Sequence, residues 1–328
     1  MISVELEKPL ACWKGKDAVD GSVVTTLTVI FRTGGCAWNR CRMCGYRHER
    51  YHNLPADALA ERIIRQVAWV KAHFRDDEYQ MLKIFTSGSF FDPEEVPPPV
   101  RDAIAAAFRG KLVVAETRPE YVTPDAVTEF IAGIDTGERA VPLYIAMGLE
   151  TTDDGIREKS IDKGFTFADF TDAADRARAG GAGVKTYLMM KPPFLTEQEA
   201  IDDMNRSIRE AAPLSDMISM NLCTVQSRTE VERYWKQGAY RPPYLWSALA
   251  VLADAATHVL CDPVGGGSVR GPHNCGACDH DIIRAITDYS LTADRSLLRA
   301  VAETECACKK EWEFVCSREK PYCMPLTR

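Results

Sequence analysis

The chain has no long apolar run. Its longest apolar stretches, such as Leu245 to Leu252, fall far short of the roughly 20 residues a membrane helix needs. The opening Met1-Ile2-Ser3-Val4-Glu5 does not begin a signal peptide. Membrane insertion and secretion are not expected, and a cytoplasmic location is. Short internal repeats and low-complexity tracts are also missing. With 46% apolar and 27% charged residues, the composition is globular, neither disordered nor fibrous. An excess of positive charge is lacking too: 40 Lys and Arg stand against 47 Asp and Glu, a net charge of −7. That argues against holding nucleic acid by bulk electrostatics alone. A nucleic-acid substrate brought by a partner, or gripped at one basic patch, remains compatible.

Cysteine, by contrast, is abundant. Twelve occur in 328 residues, and in a reducing cytosol they point to metal or redox chemistry. They are unevenly spread. Cys36, Cys41 and Cys44 form one group; Cys275, Cys278, Cys306, Cys308 and Cys316 form another, with Cys323 close behind. Cys12, Cys223 and Cys261 stand apart.

From about residue 22 to 264 the chain alternates strand-like and helix-like segments. Val23 to Arg32 is rich in β-branched residues and reads as a buried strand. Leu59, Ile63, Val67 and Val70 then mark one face of a helix. Further strands are expected over 82–85, 111–115, 143–147, 184–190, 216–222 and 258–261. Helices are expected near 99–108, 125–131, 167–178, 197–211 and 246–256. Six strand–helix units imply right-handed crossovers and a parallel sheet. The expected fold is α/β, a partial (β/α)6 TIM-like barrel whose chemistry collects at the carboxyl ends of its strands. Gly265-Gly266-Gly267-Ser268 reads as a flexible break. Three parts are thus expected: an N-terminal segment 1–21, a barrel domain 22–264, and a cysteine-rich, mostly helical extension 265–328.

The first cysteine group directly follows the first predicted strand. Its spacing, C-x4-C-x2-C, suits three irons of a cubane cluster and leaves the fourth iron open. A zinc site completed by His48 or His52 is the alternative. Arg40, Arg42, Arg47 and Arg50 surround the loop, placed to balance a cluster's negative charge or to bind a carboxylate or phosphate. In the second group, Cys275 and Cys278 form a C-x2-C knuckle, and Cys306-Ala307-Cys308 follows. Those four suit a tetrahedral structural zinc. Cys316, Cys323, His273 or His280 are possible substitutes for one ligand, and a second iron–sulfur cluster is the competing reading. Lys309, Lys310, Arg318, Lys320 and Arg328 make the tail locally basic. Cys223 reads as a buried small side chain.

Five further motifs follow the strands. Thr86-Ser87-Gly88-Ser89-Phe90-Phe91-Asp92 comes after the second, Glu116-Thr117-Arg118-Pro119-Glu120-Tyr121 after the third, and Gly148-Leu149-Glu150-Thr151 after the fourth. NLCTVQSRTEVERYWKQGAYRPP begins at Asn221 and GPHNCGACD at Gly271. In this order, behind a three-cysteine loop, they resemble the radical S-adenosylmethionine (SAM) superfamily. Within it they resemble the archaeosine-biosynthesis radical SAM family, related to the elongator catalytic-subunit branch. Most members space the cysteines C-x3-C-x2-C; here the first gap holds one more residue, so the later motifs carry the resemblance, which runs over nearly the whole chain.

The resemblance implies a radical SAM lyase with a 4Fe-4S cluster on Cys36, Cys41 and Cys44. It implies that Ser87, Gly88 and Ser89 meet the methionine amino group of SAM. Glu116, Arg118 and Glu150 would line its amino-acid and ribose portion, and Met190 and Lys191 would flank its adenine. Asn221, Gln226, Arg228, Tyr240 and Arg241 form the expected substrate-binding set. The implied reaction converts the lysine adduct of 7-cyano-7-deazaguanine in the tRNA D-loop to archaeosine. The implied partners are that tRNA, a lysine-adding archaeosine synthase subunit and an external one-electron reductant. Two other readings stay open: another tRNA-modifying radical SAM enzyme, and a zinc scaffold without catalysis.

Overall fold

Asp20 and Gly21 turn the chain between its first two strands. Both take positive φ, 50° and 72°, as a two-residue type I′ hairpin requires, and Val19 pairs with Ser22 across them. The computed structural model describes residues 6–321 and 323–327, so the opening segment 1–5 and Arg328 of the basic tail lie outside the described residues. β1 (Ala11–Val19) and β2 (Ser22–Ile30) are antiparallel. β1 falls in the segment expected to precede the fold. Hydropathy misses it because Trp13 to Lys16 face solvent and only Asp17, Ala18 and Val19 are buried. The Asp-Gly pair between two β-branched runs is the signal that marks it.

Seven strands follow the expected order: β2, β3 (Met81–Phe85), β4 (Leu112–Glu116), β5 (Leu143–Glu150), β6 (Gly183–Met190), β7 (Met217–Leu222) and β8 (Val259–Asp262). Between them run α1 (Ala56–His73), α2 (Pro98–Ala107), α3 (Pro124–Ile134), the single turn α4 (Asp154–Ile156), α5 (Phe167–Ala179), α6 (Glu197–Ala211), α7 (Glu230–Lys236) and α8 (Leu245–Asp254). α9 (Asp279–Thr292), α10 (Arg295–Ala302) and α11 (Ala307–Arg318) close the chain. The class is the expected one: α/β, mostly parallel and TIM-like, with a cysteine cluster in its C-terminal region.

The chain divides into two compact units. The first comprises Met1–Asn39, Tyr46–Gly148 and Ala168–Lys185; the second comprises Arg40–Gly45, Leu149–Phe167 and Thr186–Arg328. In the first, β2, β3, β4 and β5 pair in parallel, with Ile30 opposite Phe85, Ile84 opposite Ala115 and Glu116 opposite Ala146. Their carboxyl ends therefore lie on one side, and the loops that leave them converge. All eight residues of β5 are buried, the pattern of a parallel strand covered on both faces. Leu59, Ile63, Val67 and Val70 form the buried face of α1, as the spacing predicts. Truncating a fully buried residue here, such as Ile63 or Ile84, to Ala would cost about 2–5 kcal/mol.

A charged cluster lies in this core. Asp17 Oδ2 meets Lys83 Nζ at 3.0 Å and the buried Lys185 Nζ at 3.5 Å. Burial lowers the Lys185 ammonium pKa to about 8 despite Asp17. Burial raises the Asp17 carboxyl, but the two lysines outweigh it and leave it below its ordinary value.

In the second unit β7 and β8 are parallel, with Asn221 opposite Asp262. Thr196 and Glu199 form a capping box at the start of α6, with reciprocal bonds of 3.1 and 2.9 Å. The Gly265–Ser268 segment is a mostly exposed turn, approached closely at Gly265 and Gly266. A Cβ on Gly271 would stand 2.1 Å from the Gly265 carbonyl oxygen, and one on Gly266 would meet Ile283 at 2.8 Å. These glycines serve close backbone approach. Among the described residues no helix is long and apolar enough to cross a membrane.

Candidate active site and cysteine centre

In the first unit, the loops after β2, β3 and β4 meet around Cys36. Gly88 packs directly on it: a Cβ at Gly88 would fall 2.5 Å from both Cα and Cβ of Cys36 and 2.6 Å from Glu95 Oε2. Only glycine fits. Its neighbours are fixed by Glu95, which is 1% exposed. Glu95 Oε1 accepts from Thr33 Oγ1 at 2.7 Å, and Oε2 accepts from the Ser89 N–H at 2.5 Å. The Gly34 N–H donates to the Glu95 carbonyl at 3.3 Å. One residue thus ties the cysteine loop to the Thr86–Ser89 turn. Burial pushes its carboxyl up to about 7, against the lowering pull of the Thr33 and Ser89 hydrogen bonds.

The expected SAM residues of this unit come together. Ser89 Oγ accepts from the Arg118 N–H at 3.1 Å, and the Phe90 N–H donates to the Glu116 carbonyl at 2.9 Å. Arg118 is buried, pairs through Nε with Glu120 at 2.5 Å and lies 5.5 Å from the Trp38 ring centroid. Ser87 Oγ and Thr117 Oγ1 are buried without a hydrogen-bond partner. Such orphans carry a desolvation cost unless a ligand supplies the missing bond. Ser87 is one of the residues expected at the methionine amino group, so this pocket fits the polar end of SAM. Glu95 and Thr117 were not foreseen: Thr117 lies within the Glu116–Tyr121 motif, and Glu95 three residues beyond Asp92.

In the second unit, the loop carrying Cys41 and Cys44 is held at several points. Met43 packs among Ile161, Cys223, Val225, Val231 and Tyr240. The Arg42 N–H donates to the Ile161 carbonyl at 3.0 Å, and its guanidinium meets Glu230 at 2.6 Å and the Lys159 carbonyl at 3.3 Å. Residues Arg157–Ile161 form a π turn, a geometry that often accompanies functional sites. Gln226 Oε1 accepts from the Gly45 N–H at 2.6 Å. Gln226, expected among the substrate residues, therefore braces the cysteine loop here.

The remaining expected residues lie at strand ends of this unit. Glu150 ends β5 at φ 67° and pairs with Lys163 at 2.5 Å. Lys191 follows β6 at φ 56°, and its ammonium pairs with the fully buried Glu197 at 2.5 Å. Left-handed backbone at two non-glycine residues carries strain of about 1–3 kcal/mol each and gathers at functional sites. The Tyr240 hydroxyl donates to the Lys191 carbonyl at 2.9 Å, and the Cys223 N–H to the Met190 carbonyl at 3.1 Å. Asn221 is the penultimate residue of β7, half-buried; Arg241 is buried; Arg228 is exposed, at φ 62°, where its N–H donates to Glu232 at 2.8 Å. Burial pushes the Cys223 thiol up to about 11, as an inert core thiol.

Four cysteines of the C-terminal region converge. Sγ atoms of Cys275, Cys278, Cys306 and Cys308 all lie within 4.8 Å of one another. Cys275 and Cys306 are 3.5 Å apart, Cys278 and Cys308 3.5 Å, Cys306 and Cys308 3.3 Å. Four thiolates at about 2.3 Å around one zinc would stand roughly 3.8 Å apart, so the set fits such an ion. Trp246 Nε1 donates to Cys308 Sγ at 3.2 Å and Asn274 Nδ2 to Cys278 Sγ at 3.3 Å, the outer hydrogen bonds that thiolate ligands use. Burial pushes the Cys278 thiol up to about 11 and the Cys308 thiol also up. Burial raises Cys275 too, but backbone N–H groups outweigh it and leave that thiol below its ordinary value.

Residues 30–206 match the radical SAM superfamily. The chain belongs to it. As a radical SAM enzyme it has a three-cysteine loop of the kind that holds a 4Fe-4S cluster, with SAM as the second cofactor the family implies. It is 44% identical over 322 residues to the archaeosine synthase subunit beta of Methanosarcina acetivorans, covering 94% of this chain and 90% of that protein. The archaeosine synthase subunit beta of Thermococcus kodakarensis is 37% identical over 327 residues, covering 92% and 95%. This radical SAM protein therefore belongs to the family of those beta subunits. Among solved structures, an N-terminally truncated Elp3 of Methanocaldococcus infernus aligns with a TM-score of 0.49 at 14% identity. That match covers 78% of this chain and 60% of that one.

Proposed function

We propose that this radical SAM enzyme acts in archaeosine biosynthesis as a C–N lyase on tRNA. Its substrate is the lysine adduct of 7-cyano-7-deazaguanine in the D-loop, and its product is the archaeosine amidine. The observation that carries the radical reading is the fit of Gly88 against Cys36 beside the unpartnered Ser87 Oγ. The substrate reading is supported by identity along nearly the full chain to two archaeosine synthase beta subunits. When bound, the cluster and SAM would supply the hydrogen-abstracting radical chemistry that a C–N lyase requires, and the residues named below would hold and orient them.

The thiolates of Cys36, Cys41 and Cys44 hold the cluster in this reading. Ser87, Gly88 and Ser89 receive the methionine amino group, with Glu95 fixing the turn that presents them. Glu116, Arg118 and Glu150 line the amino-acid and ribose portion, and Met190 and Lys191 flank the adenine. Asn221, Arg228, Tyr240 and Arg241 face the substrate, with Gln226 acting through the loop it braces. The four C-terminal cysteines hold a structural zinc. A lysine-adding subunit of the synthase delivers tRNA, an arrangement compatible with a net charge of −7. An external one-electron donor reduces the cluster, and the enzyme works in the cytoplasm.

Anaerobically reconstituted protein, given dithionite, SAM and tRNA carrying the lysine adduct, should produce archaeosine by nucleoside mass spectrometry. Intact adduct beside accumulating 5′-deoxyadenosine would overturn the substrate assignment and leave the radical chemistry standing. No 5′-deoxyadenosine at all would overturn both.

A further inference from the structure

Beside the end of β6 the second unit holds a partly open cavity of about 310 Å³, whose lining includes Lys191, Tyr240, Arg241 and the tail residues Glu319 and Lys320. Arg241 is 3% exposed. Its Nη1 donates to the Pro242 carbonyl at 2.7 Å and its Nη2 to the His273 carbonyl at 3.0 Å. The guanidinium lies 3.5 Å from the Tyr244 ring centroid. Nε is buried without a partner. Among the described residues no carboxylate pairs with Arg241, so a full positive charge sits out of water against carbonyl dipoles and one ring. An uncompensated buried cation is expensive, and a guanidinium with five N–H donors has capacity left after two bonds.

The other charges of the cavity do not neutralise it. Lys191 is matched by Glu197. Glu319 accepts from the N–H groups of Glu197 at 2.8 Å and Leu326 at 3.4 Å, and among the described residues it makes no ion pair with Arg241. What remains is the charge on Arg241.

We infer that this cavity receives the free carboxylate of the substrate's amino-acid adduct, anchored by the Arg241 guanidinium. The assignment rests on the lyase reading above and names the group that Arg241 recognises. Attachment of lysine through either amine leaves its carboxylate free. A terminal carboxylate on an alkyl chain can enter a recess of this volume end-on and reach a 3% exposed guanidinium, whereas a tRNA phosphodiester carries chain on both sides. Tyr240 links the anchor to the reaction site, since its hydroxyl holds the backbone of Lys191.

The test compares two tRNA substrates on the wild-type holoenzyme: the lysine adduct and the cadaverine adduct, which has the same diamine chain without the carboxylate. The expected result is a KM at least tenfold higher for the cadaverine adduct. Arg241→Lys and Arg241→Gln should raise KM for the lysine adduct by a similar factor while shifting KM for the cadaverine adduct less than twofold. Equal wild-type KM values for the two adducts would overturn the carboxylate assignment and leave the lyase reaction intact. Equal losses on both adducts in the Arg241 variants would overturn it in favour of a phosphate contact. Archaeosine from neither adduct would remove the lyase reading and this assignment together. The wild-type comparison needs no substitution, so a variant that fails to fold does not affect it.

Discussion

The two cysteine groups of this chain are built on opposite plans. In the C-terminal region four thiols already converge within 4.8 Å, and Trp246 and Asn274 point N–H groups at two of the sulfurs. That set is complete: four thiolates saturate a tetrahedral ion and leave no position for chemistry. The N-terminal group offers three thiols, and the Thr86–Ser89 turn packs directly on Cys36 through a glycine, with an unpartnered hydroxyl close by at Ser87. A closed ligand set stabilises a fold; an open one, faced by unsatisfied polar atoms, binds a reactant. In the proposed reading, the same residue type serves stability in one region and reactivity in the other.

Substitutions separate the two roles. The largest effect is expected for Cys41→Ala, which should cut 5′-deoxyadenosine production about 10³-fold or more. Iron content should fall while zinc content and the melting temperature stay near wild-type. A variant that keeps its iron and its activity would break the comparison on the N-terminal side.

Next is Cys278→Ala, which removes one ligand of the closed set. It should lose zinc and lower unfolding free energy by roughly 3 kcal/mol or more, read by denaturant titration and metal analysis. Full-strength zinc binding in that variant would show that another group completes the site.

The smallest effect is expected for Trp246→Phe, which keeps most of the packing and deletes the 3.2 Å bond to Cys308. Losing one such donor costs about 1 kcal/mol and should weaken zinc retention by about tenfold, read by competition with a chromogenic chelator. No change in retention would mean the indole only packs.

The alternation of strands and helices was legible because buried parallel strands are apolar along their whole length, as β5 is, and because α1 repeats its buried residues at helical spacing. β1 escaped because half of it faces solvent. The residues that the structure brings together around Cys36 were legible where a motif follows a strand end, as Ser87, Gly88, Ser89 and Arg118 do, and their roles toward SAM remain those of the proposal. It was not legible where a role depends on a distant partner. Gln226 looks like a substrate residue until its amide oxygen is seen on the Gly45 N–H, 181 positions away in sequence. Glu95 looks like one of several acids until burial and two hydrogen bonds place it beneath the Thr86–Ser89 turn.

By itself the sequence determined the α/β order, the two cysteine groups and membership of the radical SAM superfamily. All three depend on residue type and short spacing, which act through neighbouring turns and strands. Tertiary structure alone decided that a Cβ at Gly88 has no room, that Gln226 reaches the Gly45 N–H, and that Arg241 is buried with no carboxylate paired to it among the described residues. Contacts of that kind arise only when distant segments are packed together, and their partners are not written in local spacing.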